Sequence, residues 1–141
     1  MLNVGIIGLG VGYHHYRAFK KNKNCKVLAI CEFDKKKFLN LNEPKIKFYK
    51  KAIDLILDQN IDIVSIASYD HYHYEQILLS LKNNKHVFVE KPLCLNSKQL
   101  EKINNLVKSN KKLIISSNLN LRTEEKFHFL KKEINNKKLG K

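Results

Sequence analysis

A doubly wound α/β fold, one parallel sheet of six strands in the order 3-2-1-4-5-6 with flanking helices, is predicted from three observations. Short apolar, β-branched runs alternate with helical patterns from residue 3 to residue 117. Those runs are continuous rather than alternating, as strands covered on both faces are. Strand–helix alternation demands parallel pairing through right-handed crossovers, and these wind outward from a central first strand.

The elements follow in order. NVGIIGLG is the first strand and HHYRAFKKN a helix; CKVLAICE is the second strand and DKKKFLNLN a short helical piece. IKFYK makes a short third strand, AIDLILDQN a helix, IDIVSIAS the fourth strand, HYHYEQILLSLKNN its helix and KHVFVE the fifth strand. Ser97 opens the helix SKQLEKINNLVKSN, with Glu101 expected in its first turn, and KLIISSN is the sixth strand. Beyond Ser117 the pattern changes. In RTEEKFHFLKKEINNKKLGK, Phe127, Leu130 and Ile134 recur at helical spacing, which reads as an amphipathic helix outside the completed sheet.

Composition removes several function classes. With 141 residues and 43% hydrophobic content the chain can bury one core. The formal charge is +14, yet Arg17 and Arg122 are the only arginines among 27 basic residues, and the lysines are spread along the chain. Base reading and phosphate clamping lean on the rigid fork of arginine, so the charge reads as a solvated surface and no nucleic-acid partner is expected. No apolar run approaches the roughly 20 residues that span a bilayer, and the N-terminus enters a strand at once, so no membrane association and a cytoplasmic location are expected. Cys25, Cys31 and Cys94 lack metal-ligand spacing and read as reduced core or near-core residues. His71 and His73, two apart, do not share a helical face, and no metal site is expected.

Four of the five glycines, Gly5, Gly8, Gly10 and Gly12, fall within the first twelve residues. Where a first strand hands over to a helix, such crowding serves a Rossmann-type nucleotide site: a tight turn at Gly8, and at Gly10 bare backbone that a pyrophosphate can approach. A strict G-x-G-x-x-G pattern would place its third glycine at residue 13, which is Tyr13, whereas Gly12 stands one position early. Either the turn is one residue shorter or another residue fills the third role. The second strand ends at Glu32, about twenty residues past the glycines, where an acid accepts from the adenosine ribose and repels a 2′-phosphate. NAD is therefore favoured, and Lys35, Lys36 and Lys37 keep NADP as the alternative.

The fifth strand runs straight into Glu90, Lys91 and Pro92. A proline ends a strand by removing a donor, and charge begins where burial ends. A lysine beyond the carboxyl end of a parallel strand also faces the ligand crevice of such a sheet.

In order along the chain, KHVFVEKPL, IDIVSIASYDHYHYEQILLSLKNNKHV, HYRAF and NLNLRTEEKFHFLKKEINNKKLG resemble the N-terminal half of the glucose-fructose oxidoreductase, inositol dehydrogenase and MocA-like (Gfo/Idh/MocA) family. The resemblance covers essentially the whole chain. It implies an NAD(P)-dependent oxidoreductase that moves hydride between nicotinamide and a sugar, cyclitol or related hydroxyl compound. Carried over, Gly8, Gly10 and Gly12 become the pyrophosphate loop and Glu32 the ribose acid. Ser68 stands near the nicotinamide, and His73, which matches a family histidine, is expected with it among the cofactor contacts. Glu90, Lys91 and Pro92 match the family's Glu-Lys-Pro and are expected among the cofactor contacts, with Lys91 also as the catalytic residue and Pro92 holding the turn through a cis bond. Tyr69 and Asp70 replace the usual Pro-Asn of the loop after strand four. The resemblance further implies a dinucleotide-binding domain over residues 1–120 and a crossing segment over 121–141 leading to a second, substrate-binding domain. On this reading the chain is a cofactor-binding half, inactive by itself; the alternative is a stand-alone dinucleotide-binding module or sensor.

Overall fold

The computed structural model describes residues 1–137. Its strands are β1 (Leu2–Ile7), β2 (Cys25–Cys31), β3 (Lys47–Tyr49), β4 (Ile63–Ile66), β5 (His86–Val89) and β6 (Ile115–Ser117), interleaved with helices α1 (Gly12–Lys21), α2 (Lys35–Leu39), α3 (Ala52–Ile56), α4 (Asp70–Lys82) and α5 (Ser97–Ser109). All neighbouring strands are parallel, in the order β3-β2-β1-β4-β5-β6. The change of direction in strand order therefore falls between β1 and β4, as the alternation of elements requires.

Strand alternation divides the core between the two faces. Val4, Ile6 and Ile30 pack with Tyr16 of α1 and with Phe38 of α2. Ile7, Val64, Ile66, Val87 and Val89 face the other way and meet Leu55, Ile77 and Ile103 from α3, α4 and α5. Ile77 and Ile103 are at most 1% exposed; each such side chain stabilises its helix on the sheet by about 2–3 kcal/mol.

Three local expectations change. The third helix ends at Ile56 rather than running through residue 60, because the Asp58 carboxylate is taken by the Tyr49 hydroxyl at 2.6 Å and the Asn60 N–H at 2.9 Å, which turns the chain. The fifth helix is capped by Asn96, whose side chain accepts the Gln99 N–H at 3.0 Å while Gln99 Oε1 accepts the Leu95 N–H at 2.9 Å. Glu101 lies beyond that first turn. Lys85 departs from the solvated-lysine reading: it is buried and donates to the carbonyls of Asp58 and Ile61 at 3.0 and 2.7 Å in the turn after α3.

After β6 a short 3-10 turn (Asn120–Thr123) leads into α6 (Glu125–Asn135). Phe127, Leu130 and Ile134 share its helical spacing, and all three are exposed. Residues 138–141 of the expected crossing segment lie outside the described residues.

Candidate functional site

The chain leaves β1 at Ile7 and turns at Gly8, which has φ +88°. A Cβ there would stand 2.4 Å from the carbonyl oxygen of Ala67, so the turn demands glycine on both conformational and steric grounds. Two bonds clamp it: Gly8 N–H donates to the Cys31 carbonyl at 2.8 Å, and Ala67 N–H to the Ile7 carbonyl at 2.8 Å. Gly10 is different, since a Cβ there would meet nothing within 4 Å. Gly12 begins α1, and a Cβ on it would lie 3.0 Å from Ala67 Cβ and 3.4 Å from Ile6 Cγ2. The turn is one residue shorter than the strict glycine pattern, and Gly12 takes the third role by letting α1 close on β1 and β4. Gly12 is a packing glycine and does not line the groove, which departs from its expected place among the cofactor contacts.

Outside this loop, between the carboxyl ends of β1, β2 and β4, lies a groove of about 780 Å³. Gly8, Gly10, Glu32 and Ser68 line it. Among the described residues no partner is found for the N–H groups of Gly10 and Val11 ahead of α1, and a helix N-terminus with free amides favours an anion. Glu32, 2% exposed, accepts the Leu9 N–H at 2.6 Å through Oε2 and the Asp34 N–H at 3.1 Å through Oε1. The acid thus holds the glycine loop closed while keeping an oxygen face at the groove. Lys37 and Lys50 line the same end. Lys37 belongs to the lysine run 35–37; Lys50 arrives from the segment after β3 and carries no sequence signal.

Cys31 also borders the groove. Burial, reinforced by the negative charges of Glu32 and Asp54, pushes its thiol up to about 11. A thiol held so high is not a nucleophile at neutral pH. Alkylation with iodoacetamide at pH 7.5, followed by peptide mass mapping, is expected to modify Cys31 at least about tenfold more slowly than Cys25 or Cys94, both of which are partly exposed.

At the other end, Ser68 lines the groove and its hydroxyl donates to Gln76 Oε1 at 2.7 Å. Tyr69 and Tyr72, in and beside the loop after β4, form an aromatic wall there. His73 lies deeper than its expected role as a cofactor contact: it is fully buried and is not a lining residue. Its Nδ1 is 2.8 Å from the Pro92 carbonyl and its Nε2 3.1 Å from the Ser68 carbonyl, so the ring sits between the loop after β4 and the turn after β5; both oxygens only accept, so the neutral ring donates to one of them and only the doubly protonated ring to both. That turn contains the cis Lys91–Pro92 bond, and Lys91 is exposed on it. Glu90, Lys91 and Pro92, expected among the cofactor contacts, depart from that place: none lines the groove itself, because Glu90 turns inward to its donors and the Lys91–Pro92 turn stands outside it.

Glu90 is buried behind the turn, and three donors converge on it. Oε1 accepts from His15 Nε2 at 2.9 Å and Asn118 Nδ2 at 2.7 Å, and Oε2 accepts the Lys91 N–H at 3.2 Å. Burial pulls this carboxyl upward, but the hydrogen bonds from Asn118, His15 and Lys91 outweigh it and hold Glu90 below the usual carboxylate value. His15 Nδ1 meets Ser65 Oγ at 2.9 Å. Sequence reasoning missed His15, Ser65 and Asn118. The available signal was Ser65, a hydroxyl inside the fully buried run of β4, because such a group requires a partner. Among the described residues no group of three His, Cys, Asp or Glu side chains suits a metal ion, and no helix is long and apolar enough to cross a membrane.

A phosphate-sized loop at a strand-order reversal, with an acid at the end of β2, describes many nucleotide folds; the sequence match narrows the choice. Residues 2–118 match the family model described as "Oxidoreductase family, NAD-binding Rossmann fold" (GFO_IDH_MocA). The chain belongs to the Gfo/Idh/MocA family. Among its Gfo/Idh/MocA relatives, the myo-inositol 2-dehydrogenase of Thermotoga maritima is 32% identical over 146 aligned positions, covering 99% of this chain and 42% of that protein. The crystal structure of myo-inositol 2-dehydrogenase from Lactobacillus plantarum superposes with a TM-score of 0.86 at 28% identity, covering 99% of this chain and 42% of its own. The scyllo-inositol dehydrogenase of Lactobacillus casei, solved with bound NAD(H) and scyllo-inositol, shares the fold with a TM-score of 0.86 at 24% identity, over 99% and 42% of the two chains. The chain thus spans about two fifths of the length of these Gfo/Idh/MocA proteins and corresponds to the family's NAD-binding Rossmann domain.

Proposed function

We propose that this chain is the dinucleotide-binding unit of an NAD-dependent oxidoreductase that moves hydride between nicotinamide and a hydroxyl-bearing carbon of a cyclitol or sugar. The observation that carries the reading is the contrast between the glycines. Gly8 is required by the protein's own packing and Gly12 stands in tight contact with Ala67 and Ile6, whereas at Gly10 nothing in the protein opposes a side chain, so the bare backbone answers to something that approaches from the groove. A diphosphate on the free amides before α1 fits that space and charge. The adenosine ribose then falls at Glu32, where two of the carboxylate's acceptor sites are taken by backbone and others remain for hydroxyls.

With that end placed, the nicotinamide lies toward Ala67 and Ser68, on the side of the turn that carries Lys91. The bound dinucleotide would supply the hydride chemistry, and the chain's residues orient it. The Lys91 ammonium stabilises negative charge developing on the substrate oxygen. The buried His73 ring packs between the Ser68 loop and the Lys91–Pro92 turn and sets their spacing, donating from one ring nitrogen when neutral. NAD is favoured over NADP because the Glu32 carboxylate repels a 2′-phosphate. The cyclitol or sugar class is supported by the relatives' names, and a cytoplasmic setting by three free cysteines.

Fluorescence titration with NADH tests the reading. Saturable binding is expected, competed by ADP-ribose and weaker with NADPH. An absence of NADH binding by the folded chain would overturn the proposal.

A further inference from the structure

The buried group formed by His15, Ser65, Glu90 and Asn118 is not needed to bind a diphosphate or a ribose. Its composition resembles that of a nucleophile triad, but Ser65 is 0% exposed and its Oγ lies against His15 Nδ1, so no substrate can reach it. What the group does is hold one full carboxylate charge inside the protein. The sheet register says where. Ile66 pairs with Val89, so the next pair is Ala67 with Glu90, and Glu90 N–H donates to the Ile66 carbonyl at 2.9 Å. Ser65 and Ala67 share a face of β4, and Phe88 and Glu90 continue that face on β5; Ala67 Cβ meets Gly12, and the His15 ring lies 5.0 Å from Phe88. Ala67 lines the groove, so the backbone of the charged residue lies one strand spacing, about 4.8 Å, to the side of a groove-lining residue.

We propose that Glu90 selects the redox form of the dinucleotide: its fixed negative charge lies beside the nicotinamide end of the groove and favours the oxidised ring, which is positively charged, over the neutral reduced ring. The inference rests on the dinucleotide reading above. His15 and Asn118 are positioning residues for this charge, each donating to the same carboxylate oxygen. Lys91, the next residue, carries the opposite charge on the exposed side of the turn and works against Glu90. The carboxylate is buried and weakly screened, and the ammonium is solvated, so the carboxylate dominates.

The test compares dissociation constants for NAD+, NADH and ADP-ribose, measured calorimetrically on the wild-type chain, Glu90→Gln and Lys91→Gln at one pH and salt. ADP-ribose lacks the nicotinamide ring and reports the fold and the rest of the site. Glu90→Gln is expected to weaken NAD+ relative to NADH by about tenfold, the size of one unit charge acting over roughly two strand spacings at an effective dielectric constant of about 20. ADP-ribose binding should stay within about twofold. Lys91→Gln should move the NAD+ to NADH ratio the opposite way by a smaller factor. If Glu90→Gln does not fold, the double variant His15→Leu/Glu90→Met, which replaces the buried pair by apolar volume, carries the same comparison. A ratio unchanged while ADP-ribose still binds overturns the inference and leaves the dinucleotide reading standing, as does a shift of the same sign in both single variants. Failure of the wild-type chain to bind ADP-ribose or NADH overturns both.

Discussion

Gly8→Ala is expected to lower stability by roughly 3 kcal/mol and to reduce NADH affinity by at least about a hundredfold. Two costs add. A φ of +88° is strained for any residue with a Cβ, by about 1–2 kcal/mol. The new methyl would also sit 2.4 Å from the Ala67 carbonyl oxygen, and that oxygen belongs to backbone that cannot rotate aside as a side chain would. Either the loop or the end of β4 has to move, and both border the groove. Thermal unfolding and NADH titration check the two effects separately. Gly10→Ala is the control: it meets no neighbour, so stability should change by less than about 1 kcal/mol while binding falls. If Gly8→Ala binds NADH as well as the wild type does, the turn is not the phosphate turn.

Glu32→Ser is expected to lower NADH affinity by about ten- to a hundredfold and to turn the preference toward NADPH. The carboxylate serves two purposes, so its loss has two consequences. Leu9 N–H, buried near the loop apex, loses a charged acceptor at 2.6 Å, and Asp34 N–H loses one at 3.1 Å, for a stability cost of about 1–3 kcal/mol. The ribose hydroxyls lose their acceptor at the same time. What remains at that end of the groove is Lys37 and Lys50, two cations no longer opposed by an acid and suited to a 2′-phosphate. Paired titrations with NADH and NADPH give the ratio directly; a ratio within twofold of the wild type would remove Glu32 from cofactor choice.

Much of this site is legible without coordinates, because its determinants are local. A glycine cluster at a strand–helix junction, an acid closing the second strand and a Lys-Pro after the fifth each sit within a few residues of one element end, and the sheet order follows from alternation alone. The misassigned details share a different character. Gly12 is ambiguous in sequence because its role depends on Ala67, which is 55 positions away along the chain and touching in space. His73 reads as a contact because the loop that holds it is a contact loop, yet its ring turns inward to two carbonyls. The helix starts at Ser97 as its sequence reads, but Glu101 falls beyond the first turn, and Asn96, just before Ser97, is the cap.

By itself, then, the chain's order of residues determined the strands, their winding, the glycine turn and the acids and lysine at strand ends, since each depends on propensity, periodicity or backbone freedom within a short window. Tertiary structure alone decided that residues 15, 65, 90 and 118 gather around one carboxylate, that Lys50 joins Lys37 beside Glu32, and that one histidine spans two loops. The physical reason is that a buried polar group must find partners wherever the fold delivers them, and short-range patterns carry no record of which distant residues arrive.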